Sequence, residues 1–168
     1  MAITKIQSES LNLADDFAFT GTITGAGGNM KPAFHADLSS NQNISQSVVT
    51  KVQFNSEVLD TDNCYDNSTN YRFTPTTAGK YFVYLVTRLS WNSGGNGTIN
   101  CYIYKNGSQQ FRGVLNCSTT LYGTVTVSGI INMNGSSDYL EGFAEYNASL
   151  PMVTGGGTSH FGAYKIIE

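Results

Sequence analysis

The sequence has little charge. Asp, Glu, Lys and Arg make up 12% of its 168 residues, about half the usual share of a soluble domain. Long solvent-facing helices normally carry many Lys, Glu and Arg, so this composition disfavours them. Lys and Arg nowhere cluster and the net charge is -3, which removes the electrostatic basis for a nucleic-acid partner. Cysteine is sparse too. Cys64, Cys101 and Cys117 form an odd set with no C-x-x-C spacing, which argues against a zinc site and against a dense disulfide framework. Free, mostly buried thiols are expected. Residues 1–18 contain Lys5, Glu9, Asp15 and Asp16 and no continuous apolar run. Neither a secretory signal nor membrane insertion is therefore expected, and the product should be made soluble in the cytoplasm.

Catalytic signatures are missing as well. The two histidines, His35 and His160, stand in strand-like contexts far apart in the chain, and no Gly-x-Ser-x-Gly, Ser-x-x-Lys or His-Glu-x-x-His pattern occurs. No catalytic residue is assigned, and the chain does not read as an enzyme. Glu141 and Glu145, at alternate positions of one expected strand, are the only carboxylate pair weighed for glycan cleavage. A solvated outer face is the simpler account of them.

What the sequence does have is Gly, Asn, Ser, Thr and aromatics, the last at 12%. That mixture suits strands joined by tight turns. Alternation predicts strands over residues 50–59, 80–91, 97–104, 119–133, 138–146 and 160–167. Asn106-Gly107 is suited to a two-residue hairpin turn, and residues 134–137 form a second turn signal. Short turn intervals with no amphipathic helix between strands predict an all-β sandwich or jelly roll in one main domain. Residues 80–91 are apolar on both alternating faces. In a sandwich one face meets the opposite sheet, and the other needs a helix or another subunit. No helix is on offer, so an oligomer is expected.

Residues 1–30 differ from the rest. Ile6, Leu11, Leu13, Phe17 and Phe19 are spread thinly among polar residues and lead to a glycine-rich stretch at 25–28. Such a segment cannot build its own core and needs neighbouring chains or a larger assembly to order it. The expected division is a stalk or anchor at 1–30, with those five residues as the anchor, and a head at 31–168. Within the head, Asp60, Asp62 and Asp66 concentrate oxygen ligands of the type calcium uses. The spacing departs from the EF-hand rule, and Asx-rich loops are usually turns that bond their own backbone, so no cofactor is assigned. Trp91 with Asn92, and Tyr146 with Asn147, are loop-edge candidates for an aromatic platform that takes a glycan.

Several blocks then resemble the C1q and tumour-necrosis-factor-like jelly-roll superfamily. Pro32-Ala33-Phe34-His35-Ala36 is similar to its opening strand. Tyr65-Asp66, Phe73-Thr74-Pro75 and Gly79-Lys80-Tyr81-Phe82 resemble its strongest signature, and Phe161-Gly162-Ala163-Tyr164 its closing strand. The resemblance implies a C1q/TNF-like jelly roll that assembles as a homotrimer, with Phe34, Tyr81, Phe82, Val83 and Tyr84 as candidate interface residues and His35 in a packing or interface role. Residues 11–25 resemble leader segments of bacteriophage tail-fibre and head-fibre proteins, especially those of marine phages. Together these imply a virion fibre or appendage joined to other virion proteins through its N-terminus, whose head meets a host-surface glycan or protein. A capsid decoration of purely structural role and a secreted C1q-like lectin are the alternatives.

Overall fold

The computed structural model describes residues 30–90, 96–117, 122–147, 152–154 and 157–166. Two antiparallel sheets are built around β7 (Ala78–Ser90) and β8 (Gly97–Lys105). In β7 the odd-numbered side chains Tyr81, Val83, Leu85, Thr87 and Leu89 are fully buried, whereas Phe82, Tyr84, Val86 and Arg88 are partly exposed. This is the period of two expected of a strand with one face on a core.

The larger sheet places β7 between β10 (Tyr122–Asn134), paired along the whole of β7, and β13 (His160–Lys165), paired over residues 81–86. Beyond β13 lie β1 (Ala33–Asp37) and the edge strand β4 (Ser56–Asp60). The short β2 (Gln42–Ile44) and β12 (Met152–Thr154) extend the other end of β7. The smaller sheet runs β5 (Tyr65–Asp66), β6 (Arg72–Phe73), β11 (Leu140–Tyr146), β8 and β9 (Ser108–Cys117), with β3 (Thr50–Lys51) also on β11.

Between the sheets lies one core. Phe34 stacks on Tyr65 and Phe73 at 4.6 and 4.5 Å between ring centroids and meets Phe161 edge-on at 5.0 Å. Offset and edge-on pairs of this kind add to the burial of their large apolar area. Cys64, Cys101 and Cys117 are free and buried among these residues. Burial pushes the Cys101 thiol up to about 11, so it stays protonated and unreactive at neutral pH.

The Asn106-Gly107 turn forms as expected. Both residues have positive φ, 52° and 76°, the geometry whose twist matches a two-residue hairpin, here joining β8 to β9. Expected strands at 80–91, 97–104, 119–133, 138–146 and 160–167 correspond to β7, β8, β10, β11 and β13 with small shifts at their ends. The single strand expected at 50–59 is corrected. β3 and β4 belong to different sheets, and Val52 and Phe54 between them are fully buried as the chain crosses the core.

Candidate functional site

Pairing in the larger sheet fixes which side chains share its outer face. Tyr164 of β13 lies opposite Phe82 of β7, which lies opposite Ile130 of β10. One register step along, Gly162 faces Tyr84, and on the other side His35 of β1 faces Gly162. The result is a patch of rings: Phe82 lies 5.5 Å from Tyr164 and 6.4 Å from Tyr84, and His35 lies 5.3 Å from His160, centroid to centroid. Ile130 at 57% and Leu59 at 48% exposure border it. Gly162 is what lets this surface form. A Cβ there would sit 2.2 Å from the Tyr84 hydroxyl and 2.9 Å from the Phe34 carbonyl oxygen, so the Tyr84 side chain lies across a position only glycine leaves open.

A polar chain threads the patch. His35 Nε2 is 3.2 Å from Asp37 Oδ1, and Nδ1 is 2.7 Å from the Tyr84 hydroxyl. With Nε2–H donating to the carboxylate, Nδ1 accepts from the tyrosine. Burial holds the Tyr84 phenol above its ordinary value, with Tyr164 and Asp37 adding to the effect. Desolvation lowers His160 and neighbouring His35 lowers it further, partly opposed by Asp37. Both groups therefore favour the neutral state on this face at neutral pH.

The residues singled out from sequence fall on both sides of the fold. Phe82, Tyr84 and His35 are on the patch. Phe34, Tyr81 and Val83 are at most 2% exposed and fill the space between the sheets, which removes them as interface residues. The Tyr81 hydroxyl, for example, donates to the Thr77 carbonyl at 2.7 Å. Tyr146, at 1% exposure, is a core residue and cannot offer a ring to a glycan. Its neighbour Asn147 uses its side-chain oxygen to accept from the Thr98 amide at 2.7 Å. Trp91, Asn92 and the anchor residues Ile6, Leu11, Leu13, Phe17 and Phe19 lie outside the described residues.

The three candidate calcium ligands are committed elsewhere. Asp60 Oδ2 accepts from the Tyr65 amide at 2.8 Å, Asp62 Oδ2 from the Thr61 hydroxyl at 2.6 Å, and Asp66 from the amides of Ser68, Thr69 and Asn70. Among the described residues no three acidic, His or Cys side chains are grouped to hold a metal. Glu141 and Glu145 do share the outer face of the smaller sheet, each tied to neighbours: Glu141 to Lys51, Glu145 to Asn100 and Tyr102.

His160, Tyr164 and Ile130 were missed as patch members. Their signal lay in the phase of β7. The odd-numbered set is uncharged throughout, whereas the even-numbered set is bracketed by Lys80 and Arg88, as an outward face would be. Cross-strand register then carries that phase to β13 and β10.

The sequence matches no protein-family model and no curated protein. Solved structures do match. An Eiger TNF from S. frugiperda aligns over 80% of this chain and 91% of its own with a TM-score of 0.61 and 11% identity. The fold is a TNF/C1q-like jelly roll. The globular domain of a zebrafish complement 1qA protein covers 81% of this chain and 98% of its own at 0.57 and 16%, and murine APRIL 80% and 98% at 0.57 and 14%. At these identities the likeness is one of architecture. In this jelly roll the two outer faces are chemically unlike: among the described residues the larger sheet sets Phe82, Tyr84 and Tyr164 beside Ile130, whereas the smaller sheet ties Tyr102, Asn100 and Glu145 to one another.

Proposed function

We propose that this jelly roll is the head of a homotrimeric, non-enzymatic attachment appendage on a bacteriophage particle, with the outer face of the larger sheet as its subunit contact. The observation that carries the reading is the Phe82, Tyr84, Tyr164 and Ile130 patch. Adjoining aromatic and aliphatic side chains left facing water mark a surface made for contact, and a threefold arrangement follows the resemblance to C1q-like domains. Residues 1–30 serve as the virion anchor, in keeping with their likeness to phage fibre leaders. Three identical heads held on one stalk convert weak single contacts with host-surface glycans into useful avidity.

Light scattering on the chain lacking residues 1–30 tests the assembly. A mass three times that of the monomer is the expected result. A head that stays monomeric at micromolar concentration would remove the patch as a subunit contact, and with it the basis for a trimeric appendage.

A further inference from the structure

An open pocket of about 410 Å³ lies at the β5–β6 hairpin, on the smaller sheet and away from the aromatic patch. Its volume falls within the range of small-ligand sites. Its floor is rigid. The Tyr65 ring stacks within 4.6 Å of Phe34, and its hydroxyl donates to the Phe54 carbonyl at 2.9 Å. One wall is the turn after β5, which Asp66 ties down: Oδ1 accepts from the amides of Ser68 and Thr69 at 3.1 and 2.9 Å, and Oδ2 from the Asn70 amide and side chain at 3.0 and 2.7 Å. These donors hold the Asp66 carboxyl far below the usual carboxylate range, the Thr69 amide contributing most. The carboxylate is thus ionised at neutral pH, with its acceptor positions already used.

Arg72 stands opposite Asp66 in the hairpin register. Its guanidinium carbon lies 4.8 Å from the centre of the Tyr139 ring, a contact that limits the rotamers to be lost on binding. Among the described residues no carbonyl or carboxylate oxygen accepts from that guanidinium, and the Asn63 amide and Thr74 hydroxyl, which also line the pocket, take no side-chain partner either. A preorganised cation with free planar donors, set beside free amide and hydroxyl groups, recognises a carboxylate carried on a polyhydroxylated ring. We propose that this pocket binds an acidic sugar, a uronic or sialic acid residue, with Arg72 on the carboxylate and Asn63 and Thr74 on the ring hydroxyls. The proposal rests on the glycan-binding part of the function above and supplies its missing site. The subunit contact is on the other sheet, so a trimer leaves three such pockets open.

The test is titration of the full-length chain, followed by calorimetry and amide NMR shifts, with trigalacturonate, N-acetylneuraminic acid and neutral galactotriose. The expected result is binding of one of the two acidic sugars with shifts centred on residues 63–74, at least about tenfold weaker binding of galactotriose, and at least about tenfold loss in both Arg72→Gln and Arg72→Ala. Arg72→Gln keeps the first methylenes and a polar head, so a folding defect in Arg72→Ala alone does not obscure the result. Thr74→Val should weaken binding severalfold without removing the acidic preference. Equal binding of galactotriose and the acidic sugars would overturn the acidic-sugar inference while leaving a glycan-binding head intact. Binding unaffected by Arg72→Gln, or shifts elsewhere on the head, would overturn the site. No binding of any of the three sugars would overturn both the site and the glycan reading, and light scattering would still report on the trimer separately.

Discussion

The outer faces of the two sheets have solved the same problem differently. Across β8, β9 and β11 of the smaller sheet the polar groups are spent on one another. Arg112 donates through Nε and Nη2 to Asn100 Oδ1 at 3.2 and 2.8 Å, Asn100 Nδ2 donates to Glu145 at 3.0 Å, and the Tyr102 hydroxyl donates to the same carboxylate. Lys51 pairs with Glu141, and the rings of Tyr104 and Phe143 lie 4.5 Å apart along the strip. A network this complete has no need of a partner, because its members are satisfied within the chain. The larger sheet leaves Phe82, Tyr164 and Ile130 without such a cover. The difference teaches that aromatic content alone does not mark an interface. Tyr102 is as aromatic as Tyr84, yet its neighbours close over it.

The largest expected effect tests that contrast directly. Replacing Phe82 and Tyr164 together by Asp should reduce the proposed trimer to monomers in light scattering, because burying two carboxylates at each contact is strongly unfavourable. The fold should survive, since both side chains point away from the core. The matching change on the other face, Val114→Asp, alters a residue 51% exposed. It should leave the mass unchanged and shift stability by no more than about 0.5 kcal/mol.

Next in size is Glu145→Ala. It strips the acceptor from Asn100, 2% exposed, and Tyr102, 6% exposed, and buried donors without partners cost about 1–3 kcal/mol. Urea unfolding should show that loss, with the mass in light scattering unchanged. Gly162→Ala should cost a comparable 1–3 kcal/mol through overpacking, and thermal melts would register it together with a weakened trimer as Tyr84 is displaced.

The smallest effect is a dependence on pH. His160 is held below its ordinary value in the folded chain, so around pH 6 the unfolded chain binds more protons. The stabilisation is complete above the ordinary histidine value near 6.5 and is lost as pH falls through the lowered one. Melting temperatures should decline as pH falls below about 6.5, and His160→Asn should flatten that decline. An unchanged slope in the variant would remove His160 as its source.

Much of the architecture was legible because it rests on short-range chemistry. Asn106-Gly107 declares its own turn, and β7 and β8 are dense in β-branched and aromatic residues. What stayed hidden depends on partners remote in sequence. Val52 and Phe54 alternate as any strand would, yet they bridge two sheets because Gly142, some 90 residues on, accepts the Val52 amide bond. β9 begins Ser108-Gln109-Gln110 and reads as loop until its pairing with β8 is seen. The resemblance to C1q-like domains did not fix the phase of β1 and β7, so the expectation grouped the buried Phe34, Tyr81 and Val83 with the outward-facing Phe82 and Tyr84. In the Asp-rich loop the Asx-turn explanation proved the right one for Asp66, while Arg72 carried no pattern of its own and became visible only beside Tyr139.

The position of β7 between β10 and β13 bears on how the chain is made. Its two edges are completed by residues 122–134 and 160–165, so one edge of the central strand stays open while the ribosome is still adding the segment that follows Tyr146. Local hairpins such as β8–β9 can close early, but the sandwich must wait for β13, and loop-closure entropy makes such late, distant pairing slow. During that interval β7 lacks the neighbour that β13 supplies over residues 81–86. Premature contact between nascent chains is then a hazard that rises with their concentration.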